Sequence, residues 1–428
     1  MSTKQPPVAD RRPYRHSYHG VELEDPYFWL QDPGYPQVED SDVLGYINEE
    51  NDYFESWYEP HKTLTQTLFE ELKARKPEQD ESVPYDKNGY RYQWRFNAGD
   101  QYRVWLRQST IDTSNVWETL LNENSLAEGC EYFRLGALAV SPDGTKLAYS
   151  TDTNGSERFI LQVIEIASGN ALTTPIENCA GSVVWNADSD GFAYRLVNEN
   201  WRPDKALYRS LLGGDDALLY QEEDDAFFVG LGLSQSEQLM FITSGDHVTS
   251  EVRFVPRANL LAEQELIQGR REGHEYDVEH QGDSAKTGRL IIRSNRNHPN
   301  FDLFETPMAS TEEASWQMLL PGNANHYLMG HVAFADALVV CLRINGLDQI
   351  KIVSGDDSHI IEFPEPAYSV DLGTNPNYRT STLRLAYTSM VTPHTVFDYD
   401  WQTKALTSLK VQEIPGGYEA SDYVSERL

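Results

Sequence analysis

The feature that most constrains the fold is a repeated pattern of short apolar strands and polar turns. From about residue 80 to about residue 410, segments that alternate or run apolar are separated by turns rich in Gly, Asp, Asn and Pro, as in β-strands joined by tight turns. The units are spaced by about 40–55 residues, which is typical of propeller blades. A strand, a polar turn and a second strand recur in seven units: PYDKNGYRYQWRF, LAVSPDGTKLAYST, VVWNADSDGFAYRL, LGLSQSEQLMFITS, VEHQGDSAKTGRLIIRS, HVAFADALVVCLR and LGTNPNYRTSTLRLAYTS.

The repeat predicts a ring of sheets. A blade buries its faces only against neighbouring blades, so the units must close around a central channel. We therefore predict an all-β fold, a seven-bladed β-propeller preceded by a short α-helical N-terminal segment. The alternatives are a β-sandwich or two smaller β domains, and neither predicts a regular period.

The first 76 residues have a different pattern. Beginning at Ser41, apolar residues recur at the spacing of an amphipathic helix, which Pro60 ends. Thr63 and Gln66 form a capping-box pattern at the start of a second helix, which Pro77 ends. The apolar positions of the two stripes are Val43, Leu44, Ile47, Phe54, Trp57, Leu64, Leu68 and Leu72.

Composition excludes several classes of partner. The 428 residues include 35 Lys and Arg against 67 Asp and Glu, a net charge of −32, and no basic cluster that would bind nucleic acid. The N-terminus lacks the apolar region of a secretion signal, and no apolar run is long enough to span a bilayer. Three cysteines cannot form a disulfide framework. We therefore expect a cytoplasmic protein without nucleic-acid or membrane partners.

Five segments spread along essentially the whole chain form a further pattern. They are EDPYFWLQD at 24–32, VPYDKNGYRYQWR at 83–95, RSNRNHPNFDLF at 293–304, YTSMVTPHTVFDYD at 387–400 and IPGGYEASDYVSERL at 414–428. In their residues and in their order they resemble the prolyl oligopeptidase family of serine peptidases, most closely its oligopeptidase B branch. The resemblance implies an N-terminal helical segment at 1–76, the propeller at 77–410, and at 411–428 a linker strand leading towards a hydrolase domain.

The chain departs from the family at its end. In the family, an α/β-hydrolase domain with a Ser, Asp and His triad follows the propeller, and this sequence ends at Leu428, where that domain would begin. The nearest approaches to the nucleophile elbow G-x-S-x-G are GLSQS at 232–236 and GDSAK at 282–286, and both lack the second glycine. We therefore assign no catalytic residue and expect the chain alone to be inactive.

By resemblance, the chain is the N-terminal segment and gating propeller of an enzyme that cleaves short peptides after Arg or Lys. The partners implied are cationic peptides and an α/β-hydrolase domain that is missing or separate. Two other interpretations stay open, a stand-alone propeller that binds peptides or proteins and a metal-dependent propeller enzyme such as a lactonase. The helices and the final segment favour the first interpretation, because an isolated propeller has no evident use for them.

Two polar clusters are candidate sites. The segment HEYDVEH at 274–280 holds two histidines and three carboxylates, but His274 and His280 lack the four-residue spacing that places two metal ligands on one helical face. We therefore interpret it as a polar strand and predict no metal and no cofactor. The acidic residues Glu222, Glu223, Asp224 and Asp225 form either a rim that attracts cationic peptides or a solvated loop.

Overall fold

The structure is a computed structural model that describes residues 5–35, 37–111 and 116–427. Leu428, the last residue of the final segment that resembles the peptidases, lies outside the described residues. The chain divides into two compact units, and each is described by itself. One takes the described part of Met1–Pro77 together with Ile414–Gly417, and the other takes Glu78–Glu413 and the described part of Tyr418–Leu428.

In its described residues, the first unit contains one hairpin and two α-helices. The hairpin joins β1 (Arg15–Tyr18) to β2 (Val21–Glu24), and the helices are α1 (Ser41–Tyr58) and α2 (Lys62–Lys73). Helix α1 begins at Ser41 because the carboxylate of Asp40 accepts hydrogen bonds from the backbone N–H groups of Asp42 and Val43 at 2.8 and 3.2 Å. Both predicted helices are confirmed. The predicted capping box is wrong, since Thr63 lies inside α2 and Gln66 donates to Glu70.

The second unit is built from antiparallel sheets. The first sheet contains β3 (Asp80–Glu81), β4 (Tyr85–Lys87), β5 (Tyr90–Phe96), β6 (Val104–Ser109) and β7 (Glu118–Asn122), and the short helix α3 (Glu123–Ala127) follows it. The next contains β8 (Arg134–Val140), β9 (Lys146–Asp152), β10 (Phe159–Glu165), β11 (Ile176–Trp185), β12 (Gly191–Val197), β13 (Pro203–Ser210) and β14 (Ala217–Gln221).

Four sheets of four strands follow. They are β15 (Phe228–Leu233), β16 (Leu239–Gly245), β17 (Ser250–Pro256) and β18 (Glu265–Gln268); β19 (Tyr276–Gln281), β20 (Arg289–Ser294), β21 (Asp302–Pro307) and β22 (Gln317–Leu320); β23 (His326–Ala333), β24 (Leu338–Ile344), β25 (Leu347–Ser354) and β26 (Asp357–Ile360); and β27 (Ser369–Leu372), β28 (Thr382–Thr388), β29 (Thr395–Asp400) and β30 (Ala405–Val411). Every ladder between named strands in the described residues is antiparallel, so they contain no parallel α/β-hydrolase sheet.

The prediction of seven separate blades is wrong. Five sheets have the four or five strands of a single blade, whereas β8–β14 form one continuous seven-stranded sheet. The reason is β11, which pairs with β10 at Ile176 and Cys179 and with β12 at Cys179 and, across a register shift, from Val183 to Trp185. Gly181 lies at the shift with φ 78°, a conformation that glycine adopts without steric cost. One strand therefore crosses the point where the sequence repeat placed a boundary.

Apolar layers between consecutive sheets form the core, as the propeller prediction requires. For example, Phe254 of one sheet and Phe304 of the next share a buried cluster, and Ile352 packs in the same cluster as Leu385. At the ends of the chain of sheets, Arg384 donates from Nη1 to the carbonyl oxygen of Pro84 at 2.7 Å. The last sheet therefore contacts the first, and the circuit of sheets is closed.

A recurring arginine links neighbouring sheets. Arg195 of β12 donates to the carbonyl of Val229 at 2.7 Å, and Arg293 of β20 donates to that of Leu328 at 3.0 Å. Each arginine stands on the second strand of its sequence repeat and contacts the first strand of the next sheet, although β12 is the fifth strand of the seven-stranded sheet. Arg384 of β28 repeats the arrangement towards the segment that precedes β4.

Candidate functional site

The channel of the second unit has two different ends. Because strands alternate in direction, all turns between the first and second strand of a repeat lie at one end, and the connections between sheets lie at the other. We call the first end the turn mouth, formed by residues 88–89, 141–145, 186–190, 234–238, 282–288, 334–337 and 373–381. The connection mouth is formed by residues 123–133, 222–227, 269–275, 321–325 and 361–368.

The turn mouth contains a cavity of about 680 Å³. Its charged lining residues are Lys87, Glu237, Arg257, Lys286 and Arg379. Glu237 forms ion pairs with Lys87 of the first sheet and with Arg257, whose Nη1 lies 2.5 Å from the carboxylate. Burial opposes ionisation of Glu237, but the two cations outweigh it and lower its pKa. The carboxylate is therefore ionised at neutral pH and connects distant parts of the ring.

The predicted acidic run divides into one buried and three exposed residues at the connection mouth. Glu222 is only 8 % exposed, whereas Glu223, Asp224 and Asp225 face solvent. The carboxylate of Glu222 accepts hydrogen bonds from Arg270 at 2.6 Å and from Tyr220 at 3.0 Å. The exposed part of the run therefore has three carboxylates rather than four.

The environment of Glu222 favours its ionised form. Burial opposes ionisation, but hydrogen bonds from Arg270, from the Ser244 hydroxyl and from the Asp224 backbone outweigh it and lower the pKa of Glu222 to about 2. The same contact with Glu222 raises the pKa of Arg270. This ion pair joins the connection that precedes β15 to the one that precedes β19.

The serine that ends one of the two segments nearest to a nucleophile elbow contacts a histidine of β19. The hydroxyl of Ser236 lies 2.6 Å from His280 Nδ1, and His280 Nε2 lies 3.0 Å from the carbonyl of Thr287. Since a carbonyl only accepts hydrogen bonds, Nε2 carries the proton and Nδ1 accepts from Ser236. The pair spans 44 residues of sequence, so no local motif signals it.

This serine–histidine pair supports a turn. Ser236 is 6 % exposed and His280 is fully buried, and burial lowers the pKa of His280. In the turn at 141–145, Asp143 stands where Ser236 stands in its own turn, and each bonds the serine two residues earlier. We therefore assign the pair to turn structure, because the Ser236 hydroxyl and both ring nitrogens of His280 already have hydrogen-bond partners in the turns.

The two histidines of the predicted polar strand have separate partners. His274 Nε2 lies 2.8 Å from the Ser294 hydroxyl, whereas His280 contacts Ser236. Within residues 5–35, 37–111 and 116–427, no three His, Cys, Asp or Glu side chains come together as a candidate metal site. In the same ranges, no helix has the length and apolar character needed to cross a membrane.

Comparison with known proteins identifies relatives along the whole chain. The family described as "Prolyl oligopeptidase, N-terminal beta-propeller domain" matches residues 6–412. The chain is 32% identical over 446 residues to dipeptidyl aminopeptidase BI of Pseudoxanthomonas mexicana, a match that covers 100% of this chain and 60% of the relative. It is 30% identical over 431 residues to protease 2 of Moraxella lacunata, covering 99% and 61%. The chain thus spans about three-fifths of the length of these relatives.

Solved structures agree with this assignment. Oligopeptidase B from Leishmania major superposes with a TM-score of 0.91 at 25% identity, over 99% of this chain and 63% of that one. Oligopeptidase B from Trypanosoma brucei, with covalently bound antipain, gives a TM-score of 0.88 at 26% identity over 98% and 62%. The resemblance inferred from the five sequence segments is confirmed. The chain therefore belongs to the prolyl oligopeptidase family and corresponds to the N-terminal β-propeller portion of its peptidases.

Proposed function

We propose that this chain is the N-terminal segment and gating propeller of an oligopeptidase B-like serine peptidase that cleaves short peptides after Arg or Lys. In this proposal an α/β-hydrolase domain supplies the catalytic triad, and residues 411–428 lead towards it. The observation that carries the proposal is the similarity to Leishmania major oligopeptidase B over 99% of the chain. The propeller at 77–410 contributes sterics and electrostatics rather than a nucleophile.

Gating follows from the width of the substrate. An extended peptide is a single backbone, whereas even a small folded domain has a radius of gyration of about 13 Å. A channel enclosed by sheets and bordered by turns at each end admits the first and excludes the second. The propeller thereby protects folded proteins from the proposed catalytic centre.

The preference for cationic peptides rests on charge. The chain carries a net charge of −32, and Glu223, Asp224 and Asp225 place exposed carboxylates at the connection mouth. A charged rim of this kind raises the local concentration of oppositely charged ligands.

A cytoplasmic location is part of the proposal. The three cysteines are free, which suits a reducing compartment. Burial raises the pKa of the Cys179 thiol to about 12 and that of Cys341 to about 11, so these two thiols are unreactive at neutral pH.

The test uses the purified 428-residue chain and two peptides of equal length, one with arginines and one with glutamates in their place. We expect no cleavage of either peptide, and weak binding of the arginine peptide that fades as salt shortens the Debye length from about 10 Å at 0.1 M to about 3 Å at 1 M. Turnover accompanied by stoichiometric labelling of a serine by a covalent inhibitor would show that the chain is itself a peptidase.

A pair of triple variants separates a local rim from diffuse charge. The rim variant carries Glu223→Gln, Asp224→Asn and Asp225→Asn, and the control carries Glu49→Gln, Asp52→Asn and Glu71→Gln on exposed helix positions. Both change the net charge equally. A larger loss of binding in the rim variant supports the acidic rim, whereas equal losses indicate a solvated acidic surface.

The second candidate is a stand-alone peptide- or protein-binding propeller. It is favoured by the bond from Arg384 to Pro84, which closes the circuit of sheets within this chain. The two candidates predict different results when the hydrolase domain of a relative is added to this chain as a separate protein. Recovery of Arg- or Lys-directed cleavage supports the peptidase, and unchanged peptide binding without cleavage supports the module.

A further inference from the structure

One loop of the turn mouth is longer than the others and contacts several sheets. The loop at 373–381 joins β27 to β28 with nine residues, whereas the corresponding turns at 88–89 and 234–238 have two and five. Its base is fixed by Asn375, whose side chain accepts from the Arg384 backbone N–H at 2.7 Å and donates to the Gly373 carbonyl at 2.9 Å. The remainder of the loop extends away from its own sheet.

Four contacts attach this loop to four other sheets. Gln235 Nε2 donates to the carbonyl of Asn375 at 2.7 Å, and Asn377 Nδ2 donates to that of Asp86 at 2.9 Å. The backbone N–H of Ala335 donates to the carbonyl of Tyr378 at 3.0 Å. Arg379 forms an ion pair with Asp283. Because these partners belong to separate sheets of the ring, the loop lies across the turn mouth instead of along its rim.

Glu237 fixes the turn at 234–238, which also contains Gln235 and borders the turn mouth. It stands two residues after Gln235 and pairs with Lys87 and Arg257. The backbone N–H of Gln235 also donates to Glu279 of β19 at 2.9 Å. The turn at 234–238, which donates a hydrogen bond to the carbonyl of Asn375, is therefore itself fixed by two cations, one in the first sheet and one directly after β17.

We propose that the loop at 373–381 is a plug that closes the turn mouth, held by Gln235 and by the Glu237 ion pairs, and that it opens when these contacts break. The plug depends on the proposed function in one respect, since that function supplies the peptide that would enter the channel. Whether the loop closes the mouth can be measured without any peptide.

Three reporters follow the plug. The amide hydrogen of Ala335 reports its attachment, since the acceptor is the Tyr378 carbonyl, and trypsin cleavage after Arg379 reports its release. A cysteine at Gly232 reports access to the channel, because this glycine lies on β15 and a Cβ added there would meet no heavy atom within 4 Å. Peptide mapping distinguishes this cysteine from the three native ones.

The experiment compares the wild-type chain with Gln235→Ala, Glu237→Gln and the double variant. The control is Asp348→Asn, which removes one charge and one arginine contact within a single sheet. In the double variant we expect Ala335 hydrogen exchange and cleavage after Arg379 to accelerate about tenfold, the effect of losing one or two hydrogen bonds. A bulky maleimide should then label Gly232→Cys faster, while a small maleimide reacts at the same rate in both backgrounds. The control should resemble the wild type.

Two results would overturn the proposal. Unchanged exchange and cleavage in the double variant would mean that these contacts do not hold the loop. Accelerated exchange with unchanged labelling by the bulky maleimide would mean that the loop does not close the mouth. Failure of the arginine peptide to bind any variant would contradict the proposed function and leave these two readouts unaffected.

Discussion

The carboxylate of Glu222 accepts hydrogen bonds from Arg270, Tyr220 and the Ser244 hydroxyl, while the acidic residues that follow it face solvent. Replacing Glu222 by Gln removes the carboxylate that pairs with Arg270 at 2.6 Å and leaves Glu251, at 3.7 Å, as the other anion beside it. We expect the free energy of unfolding at neutral pH to fall by roughly 1–3 kcal/mol. The exposed control Glu223→Gln should change it by less than about 0.5 kcal/mol.

The stabilisation by Glu222 should depend on pH in a direction that its lowered pKa determines. The folded pKa of about 2 lies below the ordinary value of 4.5, so the stabilisation is present above pH 4.5 and is lost as the pH falls towards 2. Urea unfolding at several pH values should show the wild type and Glu222→Gln converging in acid. A difference that stays constant down to pH 2 would contradict this account.

Glu279 is expected to show the opposite dependence. Burial raises its pKa to about 7, against an ordinary value of 4.5, so its contribution to stability falls as the pH rises from 4.5 to 7. Its acceptor bonds from Gln235 N and His280 N can be kept by an amide oxygen. We expect Glu279→Gln to be more stable than the wild type by roughly 1–3 kcal/mol at pH 8 and nearly equal to it at pH 4. Lower stability of the variant at pH 8 would show that the carboxylate is required.

Residue types could be predicted from the sequence, but residue pairs could not. The acidic run was visible as a run, yet Arg270, which neutralises its first member, lies 48 residues further along the chain. Ser236 and His280 likewise meet only because β15 and β19 begin neighbouring sheets of the ring. Such contacts depend on the packing of sheets, and no local spacing encodes them.

At the scale of elements, the two helices differ in whether the residue that the sequence marks as a cap starts the helix. Asp40 caps α1, whereas Thr63, which the capping-box pattern indicates, lies inside α2. We expect Asp40→Ala to lower the free energy of unfolding of the first unit by about 1 kcal/mol and Thr63→Ala to have little effect. Thermal unfolding followed by helix circular dichroism measures both. A larger loss for Thr63→Ala would restore the capping box.

Strands could be predicted where an apolar pattern lies within one short segment. The pairing of one strand with two neighbours in a continuous sheet could not be predicted. Alternating residues in Tyr90–Phe96 and a short apolar run in Lys146–Asp152 identify β5 and β9 from the sequence alone. The double pairing of β11 could not be predicted, because the repeat pattern marks polar turns and NCAGSVVW contains none of the charged turn residues that separate the other units. The count of blades therefore failed at one junction, whereas the two strands named in each of the seven sequence units were found.

For the whole molecule, the decisive contact joins residues 300 positions apart. Arg384 bonds the Pro84 carbonyl and also pairs with Asp398. Arg293 makes the equivalent bond to Leu328 and pairs with Asp277, but the chain itself connects its two sheets. We expect Arg384→Met to lower the free energy of unfolding by about 1–3 kcal/mol and to cost more than Arg293→Met, as measured by urea unfolding. Equal losses would show that closure depends on apolar packing alone.

The shared strand β11 limits how this ring can grow or shrink by recombination. At most junctions the chain leaves the outer strand of one sheet and begins the next, so a repeat duplicated or deleted there inserts or removes a complete sheet. Between β10 and β12 no such point exists, because any breakpoint within Ile176–Trp185 removes pairing partners from both flanking strands. We therefore expect residues 134–221 to be duplicated or deleted only as one segment, about twice the length of the other repeats.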